Sequence, residues 1–331
     1  MRLAACVGRC RVERESRAYE AYLKGQYFLI RSAGEGWTEA FRYYEQAVEK
    51  DPNFALAWAS LATTYAGIAG QPRAPREVMP KAKAAALRAL ALDNNLGEGH
   101  AALGYINLYY DWDWQAAQRE YSRSFELNPK SVLLRLPYSF FLAAQGKAGE
   151  SLQEVHEAQA LDPLNIGLKC SEGRLLYYAR RYDEAISRYQ KALELEPGLL
   201  SNCAWLGLAY LKKGMYAEAI AELRKADIPD ARSTLPIAAL SAAYYLSGKK
   251  AEGLQRLGRL LALKRQRFVS SHDIALFYAG IGDRQQAFAW LQKAVEERAG
   301  LLVYLRVDPI WDSVRNDPRF EKIIRQVGIP P

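Results

Sequence analysis

Catalysis at neutral pH begins from a nucleophile beside a base, a metal set, a phosphate-cradling loop or two placed carboxylates. The 331-residue chain supplies few such groups. Its three histidines, His100, His156 and His272, stand far apart, and each reads as a packed or surface side chain rather than a general base. Cys6 and Cys10 have C-x3-C spacing, but no second pair or nearby His completes a zinc site. Cys170 and Cys203 are single residues 33 apart that could face each other across stacked units, although thiols are the default in a reducing compartment. Asp111 and Asp113, in YDWDW, provide too few oxygens for calcium on their own. The glycine-rich phosphate loops and the H-E-x-x-H zinc motif do not occur. These residues predict no catalytic centre, no metal and no cofactor, and the chain reads as a non-enzyme.

Composition narrows the class further. Half of the residues are hydrophobic, too many for a disordered chain, and 23 Gly with 14 Pro exclude a collagen-like or Pro-rich one. The net charge of +8 is uneven: residues 1–33 hold seven basic and three acidic side chains, and residues 249–267 hold seven and one. Such local excess can draw polyanions or an anionic surface. Without a reading helix or a stacking platform it reads as a solvated basic face, and nucleic acid is not an expected partner. Residues 2–12 are too short and too interrupted by Arg for a signal peptide. The uncharged run 52–72 contains Asn53, Ser60, Thr63, Thr64 and Gln71, so it reads as a buried helix and not a membrane span. The expected location is the cytoplasm, or outside it if the chain belongs to a longer membrane-anchored protein.

The strongest signal is periodicity. Pro129, Pro163 and Pro197, in LNP, LDP and LEP, follow one another at intervals of 34 residues, and 34 before Pro129 lies Asn95 in LDNN. The clearest unit is residues 200–233, with Leu206-Gly207 and Tyr210 on one helical face, Ala219, Leu223 and Ala226 on another, and Gly214 between them. The same phase runs through 166–199 and 132–165 and extends outward to 18–54, 55–96, 97–131, 234–267 and 268–301. The first unit carries an insertion at 31–37, the second about eight extra residues around 71–75, and the third one extra residue in YDWDW. In this phase His100 takes a large-residue position near a helix start, and Trp114 takes the aromatic place at an inter-helix turn. Residues 302–331 break the pattern. Asp308-Pro309 and Asp317-Pro318 look like N-caps followed by Pro at the first helical position, and RFEKIIRQVGI gives one amphipathic helix stopped by Gly328.

These residues resemble the tetratricopeptide repeat, with its L-G-x-x-Y, A-x-x-x-F and closing Pro. The fold this implies is all-α: a right-handed superhelical solenoid of about eight helix-turn-helix repeats over 18–301, with a C-terminal cap at 302–331 and a poorly ordered extension at 1–17. LGYINLYYDWDWQAAQREYSRSFELNP, and the ending LRVDPIWDSVRNDPRFEKIIRQVGIP, further resemble the C-terminal repeat regions of bacterial signalling proteins. In those, a winged-helix DNA-binding, serine/threonine kinase or adenylate cyclase domain precedes the repeats. No such effector stands in this sequence, and residues 1–16 read as the remnant of a truncated or separately started gene.

The resemblance implies that positions 2, 5, 9 and 12 of each unit line a concave groove. Those positions hold Tyr105, Leu108, Leu136, Phe140, Arg174, Tyr177, Leu208, Tyr245 and His272, an aromatic and aliphatic floor around one isolated charge. Chaperone-binding members of the family grip a C-terminal carboxylate with Lys and Asn at positions 5 and 9, and neither stands there in this chain. The expected function is a non-catalytic scaffold that takes a protein or peptide in the groove, with no small-molecule substrate. The alternative is a regulatory or sensor module separated from a transcription regulator, kinase or cyclase. It would act in trans or by self-association, with 249–267 as a docking surface.

Overall fold

A computed structural model describes residues 2–31, 36–70, 73–198, 200–227 and 233–331, and their side chains apart from 2–14, 30–31 and 200–203. Helices follow one another in antiparallel pairs: α1 (Arg2–Arg31) with α2 (Gly36–Lys50), α3 (Ala55–Ile68) with α4 (Pro75–Leu92), and α5 (Gly97–Ile106) with α6 (Trp114–Leu127). Next come α7 (Val132–Ala144) with α8 (Ala148–Leu161), α9 (Ile166–Tyr178) with α10 (Tyr182–Leu195), and α11 (Leu200–Lys212) with α12 (Tyr216–Ala226). The series ends with α13 (Leu235–Leu246) beside α14 (Lys250–Lys264), α15 (Ser271–Gly280) beside α16 (Arg284–Glu296), and a last helix, α17 (Pro318–Val327). Residues 2–17 are the opening turns of the 30-residue α1. Residues 32–35 of the insertion at 31–37 and residues 71–72 of that at 71–75 lie outside the described residues, as do the side chains of Cys6, Cys10 and Cys203.

Small residues decide how closely each pair packs. A Cβ at Gly173 would stand 2.8 Å from the ring of Tyr189, itself fully buried, so only glycine lets α9 and α10 approach this far. Ala62, Ser139, Ser241 and Ala275 occupy the equivalent place in other pairs and are buried without exception. The turn within a pair needs one left-handed residue, supplied by Gly146, Gly214, Gly248 and Gly282 at φ between 72° and 92°. Pair five has Arg180 there (φ 63°) and pair three has Trp112 (φ 60°), at a cost of about 1–2 kcal/mol each. The extra residue of YDWDW is absorbed by a π-helical turn, Asn107–Asp111, at the end of α5. Between pairs the corner residues Asn128, Asp162 and Glu196 leave the helical region immediately before Pro129, Pro163 and Pro197, since a residue before Pro disfavours the helical conformation, and Asp93 is extended at the corner that lacks the proline.

The uncharged run forms α3, whose Ala57, Ala59 and Ala62 are wholly buried. Among the described residues no helix is long and apolar enough to cross a membrane. The solenoid curls far enough to close on itself. Arg76 Nε donates to Glu296 O at 2.7 Å, Arg298 Nη1 to Tyr110 O at 3.3 Å and Trp114 Nε1 to Val327 O at 3.3 Å. Pair eight and the cap thereby meet pairs two and three.

Candidate functional site: the concave face and the segment lodged in it

Beyond α16 the chain turns at Arg298 and enters two short 3-10 helices, Gly300–Tyr304 and Pro309–Ser313. Its course is set by burial. Leu302, Val303 and Leu305 are fully buried, as are Trp311 and Val314. Five fully buried apolar residues cannot sit on a polar outer cap, and the segment that carries them runs instead across the first helices. Tyr304 stacks on Tyr178 at 4.7 Å and 16°, and its hydroxyl meets that of Tyr109. Tyr177 donates to Asp308 Oδ1 at 3.2 Å, Arg180 grips Asp312 with two bonds of 2.6 and 2.7 Å, and Lys212 Nζ donates to Pro309 O at 2.8 Å. Trp311 lies edge-on to His272 at 5.3 Å, and Ser313 donates to Ala279 O at 2.6 Å. Helices α9, α11 and α15 and the π-turn of α5 are thus all joined by one segment.

The electrostatics match this enclosure. Burial pushes the Tyr177 phenol well above its ordinary range, with Asp308 beside it adding to the rise. Burial likewise raises the Asp308 carboxyl, although Ile310 N and Tyr177 donate to it, and burial lowers the Lys212 ammonium. Asp312 goes the other way: burial works against its charge, but the bonds and charge of Arg180 outweigh it and hold the carboxyl below its usual range.

The residues expected to line the groove divide in two. Leu108, Tyr177, Leu208 and His272 are 0–2% exposed, so they are core rather than a surface for a partner. The reason is the chain's own segment 300–317, which fills the half of the hollow where the first helices end. His272 is also tied to its neighbour, with Nδ1 at 3.1 Å from Asp273 Oδ1. Tyr105, Leu136, Phe140, Arg174 and Tyr245 remain half-buried. Of these five, Phe140 meets Arg174 directly: the guanidinium lies 5.0 Å from the Phe140 ring, 4.3 Å from Trp205, 5.4 Å from Tyr178 and 5.3 Å from Tyr304. Tyr105 joins through Tyr109, whose ring lies 4.2 Å away and is tilted by 31°. Tyr245 sits apart, against Phe277 and Lys250.

Arg174 donates to the Tyr178 hydroxyl at 2.9 and 3.1 Å, and among the described residues no carboxylate pairs with it. Along α7 from this point Phe140, Leu136 and Leu133 follow on one face, and Leu133 is 71% exposed. The half of the hollow where the first helices begin is therefore open, apolar and floored by one guanidinium. Trp205, Tyr178 and Tyr304 belong to this floor but fall outside positions 2, 5, 9 and 12. The run LLVYL at 301–305 was the signal that the tail, too, enters the hollow.

The remaining candidates are structural. His100 pairs with Glu120 at 2.7 Å and Asn94 O at 3.0 Å, and His156 with the buried Glu172 at 3.1 Å. Asp111 takes Lys83 at 2.6 Å, while Asp113 caps α6 through Ala116 N. In the basic stretch Arg256 pairs with Asp227, and Lys264 with Glu297.

Tetratricopeptide repeat models match residues 176–244 and 43–74. The chain carries tetratricopeptide repeats. It is 26% identical over 166 residues to the transcriptional regulator HilA of Salmonella typhimurium, which covers 50% of this chain and 30% of that protein. It is 25% identical over 246 residues to the human superkiller complex protein 3, covering 71% of this chain and 15% of that one. This repeat protein spans less than a third of these curated relatives. In fold it is similar to the human IFIT1 dimer with m7Gppp-AAAA (TM-score 0.59, 16% identity, 88% of this chain and 77% of that one). It is also similar to yeast Tom70 (TM-score 0.53, 13% identity, 93% and 67%).

Proposed function

We propose that this repeat protein is a non-catalytic cytoplasmic scaffold that binds a protein or peptide segment along the open half of its concave face. The observation that carries the reading is Arg174, a half-buried guanidinium held among aromatic rings and paired with no carboxylate among the described residues. Beside it lies an apolar stripe of exposed Leu133 and half-buried Leu136 and Phe140. A segment carrying an Asp or Glu next to apolar residues meets both features: the acid completes the charge, and the apolar side chains cover the stripe. All three histidines are committed to structural partners, which agrees with a surface that binds and does not react.

A peptide library scanning apolar residues around one acidic residue tests this, followed by titration of the best binder into Arg174→Gln and Phe140→Ala. Loss of a charge-assisted pair is worth about 1.5–3 kcal/mol, so Arg174→Gln is expected to weaken binding about ten- to hundred-fold. Binding unchanged in both variants would remove this face from the argument. The similarity to HilA favours a second reading, a regulatory module working in trans with transcription-regulator, kinase or cyclase machinery. Association of the purified chain with such an effector separates the two.

A further inference from the structure

A guanidinium carries its N–H donors in one plane, as a fork with a side edge and an end. In Arg174 the side edge is taken: Nε and Nη2 both donate to one oxygen, the Tyr178 hydroxyl, at 3.1 and 2.9 Å. The end, formed by Nη1 and the outer N–H of Nη2, makes no bond among the described residues. Nη1 is not sealed from solvent, as Arg135 Nε and Arg306 Nε are, so this end opens on the hollow. Rings crowd the rest of the group, with Trp205 centred 4.3 Å and Phe140 5.0 Å from the guanidinium carbon. The approach left to an acceptor is end-on.

Tyr178 is itself held in place. It is 6% exposed, stacks on Tyr304 of the tail at 4.7 Å and 16°, and meets Trp205 edge-on at 5.9 Å. The repeat does not call for a hydroxyl here: the same place is Ala144 in pair four, Lys212 in pair six and Leu246 in pair seven.

We propose that Tyr178 determines the specificity of the hollow: by occupying the side edge of Arg174 it fixes the fork end-on, and so selects a partner's carboxylate over an amide in the same place. The two oxygens of a carboxylate match the two parallel N–H groups at the end of the fork, whereas an amide offers one acceptor. Tyr178 touches no partner and acts as a positioning residue. The inference rests on the reading of the open hollow given above and adds the source of its selectivity. Ordering one long side chain on binding weakens affinity by about two- to ten-fold, and Tyr178 removes that penalty in advance. A single hydrogen bond to an amide needs less ordering, so the benefit falls on the carboxylate. The tail takes part, because Tyr304 backs the ring that holds the fork.

Calorimetric titration of the full chain tests this, with the tightest apolar–acidic peptide of the library and the same peptide carrying Asn or Gln in place of its acid. In the wild type the amide peptide is expected to bind about ten- to hundred-fold more weakly. Tyr178→Phe removes one oxygen and keeps the ring, and that ratio is expected to fall by about two- to ten-fold in it. Tyr109→Phe removes a hydroxyl of the same cluster that bonds Tyr304 and not Arg174, and is expected to leave the ratio as it was. A ratio in Tyr178→Phe that equals or exceeds the wild-type one, or an equal fall in Tyr109→Phe, overturns the inference and leaves the reading of the hollow standing. A wild type that does not distinguish acid from amide overturns both.

Discussion

If segment 300–317 is part of the core and not a ligand mimic resting in a groove, removing its largest side chain must destabilise the whole solenoid. Trp311 is the largest fully buried residue of the chain, and Trp311→Ala is the informative change. Its Nε1 has no hydrogen-bond partner, so the substitution deletes apolar burial and leaves no orphaned polar group behind. Buried Trp or Phe to Ala costs about 3–5 kcal/mol, a large share of the 5–15 kcal/mol, roughly, that holds a domain together. The loss should be felt in α15, whose His272 packs against the indole, and in α9, which the same segment holds through Tyr177 and Arg180. Urea unfolding followed by circular dichroism, with hydrogen exchange read helix by helix, provides the assay. The expected outcome is a lower midpoint and weaker protection in α9 and α15 as well as in the segment. Leu133→Ala, at an exposed apolar site, should move the midpoint by less than about 0.5 kcal/mol. Loss of protection confined to 300–317, with the midpoint unchanged, would show that the segment is a detachable occupant and refute the reasoning.

Two further outcomes follow from the same contacts. Burial raises the Asp308 carboxyl above its ordinary value, so the folded chain holds that proton more tightly than the unfolded one, and this group's contribution falls as pH rises from about 4. Asp308→Asn keeps an acceptor for Tyr177 and Ile310, so the wild type should gain stability relative to it on acidification toward about pH 4; a pH-independent gap in denaturation midpoints would contradict this. Arg180 keeps a left-handed backbone while it grips Asp312. Once Asp312→Ala has removed the grip, Arg180→Gly should recover about 1–2 kcal/mol of strain, whereas in the wild type that gain is offset by the lost ion pair. Equal effects in the two backgrounds, by urea midpoint, would break the link.

What could be read from residue order was what repeats. Pro129, Pro163 and Pro197 fixed the phase because each unit places the same small and large residues where two helices meet, as Gly173 and Tyr189 do. The extra residue in YDWDW was visible for the same reason, though not its conversion into a π-turn. The course of 300–317 was hidden because its contacts join residues 131 and 195 apart, Tyr177 with Asp308 and Tyr109 with Tyr304, at no period. Groove positions taken from one unit assume that every hollow is empty, so Leu108, Tyr177, Leu208 and His272 were placed on a surface that the tail had turned into interior. Arg180 and Trp112 at glycine positions, which meet Asp312 and Arg298, and the apolar run LLVYL were the local departures that pointed toward the tail.

An open stack of repeats tolerates the gain or loss of a unit, since each unit answers only to its neighbours. Here Arg76 reaches Glu296, Arg298 reaches Tyr110 and Trp114 reaches Val327, so first and last parts must arrive at one place. Cutting out a single 34-residue unit would swing those meeting points out of reach of each other. The number of units in this chain is accordingly fixed by geometry, and its evolution by duplication or deletion is closed off in a way that its periodic sequence gives no hint of.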